Sequence, residues 1–190
     1  MFDYLGVLLS VILGLALTNV LFGFSGMIQM RHSIRIYWVQ VVWAVVVVIY
    51  VLAVWWGMFW WRQLTDWRFE EFLFLIGYAV VIFMMAAMLF PTTLVEGTDL
   101  EAYFFRNRRW FFGLLALAQL LDVPETLAKQ TAGLRDVPIQ YMLFLPFIFA
   151  LSVTGWSTSN KRVHAVLPVA FISAQLAYLT LSALDRITAG

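Results

Sequence analysis

Long uncharged apolar runs, broken by short charged clusters, set the rhythm of this chain. A helix crossing a bilayer needs about 20 apolar residues at a rise of about 1.5 Å each. No charge falls between Asp3 and Arg31, which predicts a first span over 5–30. The gap from Arg35 to Arg62 predicts a second over 36–61, and a third over 72–90 is closed by Pro91. Two more fit at 139–156 and 163–184.

The fourth span needs a different argument. Its uncharged part, 110–121, is too short to cross. Thr98 followed by Glu101 has the spacing of a capping box, and acids suit a helix N-terminus. A helix over 99–122 then crosses, with Arg106, Arg108 and Arg109 snorkelling back to the nearer surface. The prediction is an all-α polytopic protein, a compact six-transmembrane-helix bundle forming a single membrane domain over 1–190.

Composition strengthens this reading. The chain is 63% hydrophobic and 12% charged, against about 25% charged in soluble domains. A net charge of +1 with scattered basic residues gives no field for nucleic acid. The absence of cysteine excludes disulfides, thiolate metal sites and a cysteine nucleophile. The first apolar run follows an acid and lacks the pattern of a cleaved signal, so a retained helix is expected.

Charge also sets the expected orientation. With the N-terminus outside, Arg31, Arg35, Arg106, Arg108, Arg109, Lys161 and Arg162 face the cytoplasm, and Arg62, Arg68, Lys129, Arg135 and Arg186 face outward. Seven basic residues against five favour both termini outside, in a bacterial inner membrane. Trp55, Trp56, Trp60, Trp61 and Trp67 then form an aromatic belt at the outer surface. Laying the first three spans over the last three reveals no internal repeat.

Ser10, Gly14 and Thr18 make a small-residue stripe on the first span, and Asn19, Gly23 and Gly26 a second. Small residues let helix backbones approach, which predicts a central place for this helix in the bundle. Thr18, Asn19 and Gln175 sit close to mid-depth, where buried amides need partners, with Tyr178 on the Gln175 face of the last span, which Ser182 and Asp185 continue. They either make interhelical hydrogen bonds or line a polar pathway or ligand site. Arg106, Arg108 and Arg109 either anchor their helix at the interface or meet anionic lipid headgroups.

The confident spans carry no ionisable residue in mid-membrane, which argues against a carrier built on an intramembrane carboxylate. His32 and His164, the two histidines, are weak candidates for haem or a metal because both fall at the surface. Neither a cofactor nor a metal is predicted. Hydrolase elbows, zincin motifs and phosphate-binding loops are absent, so a non-enzymatic role is expected. The leading expectation is a small channel or carrier for a neutral solute or an ion. The alternative is a non-catalytic sensor, assembly or lipid-binding subunit acting through a partner. The expected partners are membrane lipid and a second copy or another membrane protein.

Overall fold

The computed structural model describes residues 2–188, and all of their side chains except those of Ala183 and residues 185–188. Six helices are long and apolar enough to cross a membrane, as the spacing of charges predicts. They are α1 (Phe2–Gln29), α2 (Trp38–Gly57), α3 (Phe69–Ala87), α4 (Leu100–Thr131), α5 (Ile139–Ser157) and α6 (Lys161–Thr188). A 3-10 segment, Met58–Gln63, prolongs α2, and the described residues form no strand. Successive helices reverse direction. The start of α1 and the end of α6 therefore share one surface, termed the N-terminal face.

Helix neighbours define a two-by-three array. The pairs α1–α3, α2–α4 and α6–α5 lie side by side, with α2 packed between α1 and α6 and α4 packed between α3 and α5. The central helices are thus α2 and α4, and α1 occupies a corner. This corrects the expectation that α1 is central. The small stripe on α1 brings no backbones into close approach: Ser10 and Thr18 are exposed, Ser10 accepting from Trp55 Nε1 at 3.3 Å, and a Cβ at Gly14 would meet nothing within 4 Å. The Thr18 hydroxyl instead donates to the Gly14 carbonyl at 2.8 Å within its own helix. The packed face of α1 is Leu5, Leu9, Leu13, Ala16, Val20, Gly23 and Met27, whose spacings of three and four are those of knobs-into-holes packing. Gly23 is where α1 meets Phe90, and a Cβ there would lie 2.1 Å from the ring.

Away from the N-terminal face, the connections are clasped together. The α1–α2 loop pairs with the α3–α4 loop through Gly97 N–H to Ser33 O (2.8 Å), Arg35 N–H to Thr98 O (2.9 Å) and Leu100 N–H to Arg35 O (3.1 Å). Gly97 takes a φ of +80° here, a conformation other residues rarely adopt. The Arg35 guanidinium reaches Asp99 and Glu101, each at 3.2 Å, and Lys161 at the start of α6 also pairs with Glu101. Asp99, one residue beyond the expected Thr98, caps α4 by accepting from Ala102 N–H at 3.0 Å. That amide, with Arg35 beside it, holds the Asp99 carboxyl below its ordinary pKa.

The largest difference from the sequence reading lies at the far end of α4. The helix does not stop near 122 but continues through Pro124 to Thr131. Proline removes one intrahelical hydrogen bond, which packing against neighbouring helices can absorb. As a consequence Glu125 and Lys129, read as loop residues, are buried inside the bundle at 4% exposure each.

Candidate functional site

The continued α4 carries Gln119, Asp122, Glu125, Thr126 and Lys129 on one face, and that face looks into a cavity of about 120 Å³. The walls come from α2, α4, α5 and α6, four of the six helices, with Tyr78 of α3 reaching in. No residue of α1 lines it.

Asp122 sits among phenols. Tyr141 Oη donates to Asp122 Oδ2 at 2.7 Å and Tyr78 Oη donates to Oδ1 at 3.2 Å. The Tyr50 hydroxyl lies 3.2 Å from that of Tyr78, so four helices supply one hydrogen-bonded chain. Tyr78 is nine residues from the start of α3, and Asp122 nine from the end of α4, as the helix bounds give. Each is thus about 14 Å from the N-terminal face, near the mid-plane of a hydrocarbon core about 30 Å thick. An ionisable group therefore does reach mid-membrane. The sequence expectation concerned the other five spans, and by ending α4 at 122 it left this carboxylate at a helix end.

Glu125 and Lys129 form a second unit. The Lys129 ammonium is 2.5 Å from Glu125 Oε1, and Trp61 Nε1 donates to the same carboxylate oxygen at 2.8 Å. One turn of helix separates the two side chains, so a buried charge pair comes from a single helix. Among the described residues Asp122 lies within ion-pair distance of no cation. Arg135, in the loop after α4, lines the cavity near the N-terminal face and lies over the Trp60 ring.

Toward the opposite surface the bundle is tightly packed. Gln119 on α4 and Ser152 on α5 satisfy each other at 3.0 Å. Beyond them Trp43 packs edge-on against Phe111, Phe112 and Phe171 with ring centroids 5.1 to 5.4 Å apart. All four rings are at most 2% exposed. A shallower cleft of about 420 Å³ between α2 and α6 shares Ala53, Gly57, Arg135, Tyr178 and Leu179 with the polar cavity and opens sideways, where lipid would lie.

Of the four residues expected near a pathway, Gln175 and Tyr178 line the cavity. Gln175 is buried at 4% exposure and its Oε1 has no hydrogen-bond partner. Tyr178 stacks on Phe144 with centroids 4.6 Å apart. Thr18 and Asn19 are on α1, away from the cavity. The side chain of Asp185, expected on the Gln175 face, lies outside the described residues.

The arginines of α4 have protein partners. Arg108 donates to the carbonyls of Thr158 and Phe105, both at 3.0 Å, and so ties α4 to the α5–α6 loop. Arg106 lies over the Tyr103 ring at 5.6 Å, and Arg109 over the Trp156 ring at 5.9 Å; both are exposed. His164 is fully buried against Phe104, Phe105 and Phe112, with Nε2 2.9 Å from the Thr158 carbonyl oxygen. His32 is exposed, and no group of three potential metal-ligating residues occurs among the described residues.

Sequence reasoning missed Tyr50, Tyr78, Asp122, Glu125, Lys129 and Tyr141. A signal for the α4 residues was present: Gln119, Asp122, Thr126 and Lys129 recur at three or four residues, the period of one helical face. The tyrosines gave none, because the pairing of separate helices decides which rings meet Asp122. Comparison of the chain with protein-family models, with curated proteins and with solved structures finds no match in any of the three.

Proposed function

We propose that this integral membrane protein is a carrier for a small polar solute, loaded from the N-terminal face. One observation carries the reading: a charged, hydrogen-bonding cavity lies about half-way along the helices, and buried aromatic rings pack tightly between it and the opposite surface. An intramembrane carboxylate is costly and marks a functional site by default. Pure scaffolding gains nothing from placing Asp122 and an unpaired glutamine oxygen around empty space. A channel needs a continuous path, whereas here passage requires Trp43, Phe111, Phe112 and Phe171 to part after loading. That is the behaviour of a carrier alternating between two closures.

The test is osmotic swelling of proteoliposomes exposed in turn to urea, glycerol, glycine, acetate and methylammonium salts. The wild-type protein should admit at least one of these several-fold faster than empty vesicles do. Asp122→Leu should abolish that excess, and Trp43→Ala should raise the entry rate by thinning the aromatic packing. Rates equal to those of empty vesicles for every solute would sink the carrier reading. The sideways cleft between α2 and α6 supports a second reading, a non-catalytic lipid-binding subunit acting through a partner.

We further propose that the N-terminal face lies outside a bacterial inner membrane. Burial of Lys129 against Glu125 removes one basic residue from that side and sharpens the imbalance that sets orientation. The chain lacks cysteine, so single-cysteine variants report without background. Thr65→Cys and Thr131→Cys should react with a membrane-impermeant thiol reagent on intact cells, and Ser33→Cys and Ser159→Cys should not. The reverse pattern at all four positions would invert the orientation.

A further inference from the structure

The cavity holds acceptor sites that no protein group fills. The two Asp122 oxygens accept one phenol each, from Tyr78 and Tyr141, and a carboxylate has about four acceptor sites. Gln175 Oε1, on a side chain only 4% exposed, accepts nothing. Lys129 is occupied by Glu125. The cavity therefore offers unfilled acceptor sites and one negative charge without a cation in contact. The remaining wall is aromatic: Tyr141, Phe144 and Tyr178 present ring surface, which attracts cations.

From this we infer that the ligand is a small protonated primary amine. Its ammonium group lies between the Asp122 carboxylate and Gln175 Oε1, and its carbon end lies against Phe144 and Tyr178. Size supports the assignment. A cavity of about 120 Å³ is a little smaller than an engineered one of about 150 Å³ that holds benzene. It takes about five non-hydrogen atoms, more than a bare metal ion fills and fewer than a nucleoside or sugar needs. The N–H donors matter as much as the charge, because Gln175 Oε1 needs one and a quaternary ammonium has none. Arg135 near the entrance disfavours larger polycations. This assignment rests on the carrier reading for the location of the site and not for passage across the membrane.

The experiment is titration of the purified protein in detergent with methylammonium, ethanolamine, tetramethylammonium, sodium, acetate and urea. Ionic strength is held constant, and calorimetry and melting temperature are the readouts. Methylammonium and ethanolamine should bind saturably and raise the melting temperature. Tetramethylammonium, sodium, acetate and urea should do neither. Asp122→Asn keeps the size of the side chain and its acceptor for Tyr78, and should weaken amine binding about tenfold or more. Gln175→Leu should weaken it less and leave the melting temperature of the free protein unchanged or higher, since it removes a buried unpaired oxygen. Equal binding of tetramethylammonium or sodium, preference for acetate or urea, or full amine affinity in folded Asp122→Asn would each overturn the assignment. Saturable amine binding without any flux in proteoliposomes would retire the carrier and leave the ligand class standing.

Discussion

Gly23→Ala should melt well below the parent protein, while Gly14→Ala should melt with it. The two glycines lie on one helix and look equivalent by type. A Cβ at Gly23 would lie 2.1 and 2.2 Å from two ring atoms of Phe90, far inside contact distance, whereas at Gly14 nothing lies within 4 Å. The struck atoms are at the root and edge of the Phe90 ring, and Phe90 is itself buried at 6% exposure. The collision cannot be relieved by a small swing of a flexible tip, so α1 must move away from the segment that follows α3. Overpacking of this kind costs about 1–3 kcal/mol, and in an interface this close the upper end is expected. Thermal unfolding in detergent with size-exclusion profiles checks both variants. Equal melting of the two would show that α1 does not meet Phe90 at Gly23.

The second large effect is expected at the buried pair. Lys129→Met leaves the Glu125 carboxylate at about 5% side-chain exposure with only Trp61 beside it. Removing one partner of a buried ion pair costs about 3–5 kcal/mol, and proton uptake by the stranded carboxylate limits the loss. Adding Glu125→Gln should recover most of it, because the amide oxygen still accepts from Trp61 and no charge is left stranded. The thermal midpoints of the single and double variants measure the coupling. A double variant no more stable than Lys129→Met would mean that the methionine fails for reasons of shape alone.

Spans, helix type and the single bundle were legible in the sequence because each follows from the spacing of charges along a chain that must satisfy its backbone in lipid. The end of α4 was not. Asp122, Pro124 and Glu125 together imitate the start of a new turn, and only the packing of α3 and α5 on either side keeps the helix going. Gln175 and Tyr178 could be named in advance, since a polar residue at mid-depth in a clean apolar run declares itself. Asn19 was equally visible and yet stands away from the cavity. Depth can be read from sequence. Which helix faces which cannot, and the two-by-three array decided that α1 would be excluded from the site.

The composition of α4 has a consequence for how the protein is made. It is the least apolar of the six helices, with Asp122, Glu125 and Lys129 toward one end and three arginines toward the other. Each charged residue near the centre of a helix adds about 3 kcal/mol to the cost of its entry into the bilayer through the insertion machinery. Alone, α4 should therefore hesitate at the membrane surface. Asp122 is hydrogen-bonded by Tyr78, made before it, and by Tyr141, made after it, and Arg108 donates to Thr158, also made after it. Entry of α4 is thus tied to neighbours on both sides, and α3, α4 and α5 should enter the bilayer as a group. A chain truncated before α5 should leave α4 poorly inserted and exposed to quality-control proteases, even though every residue of α4 has been synthesised.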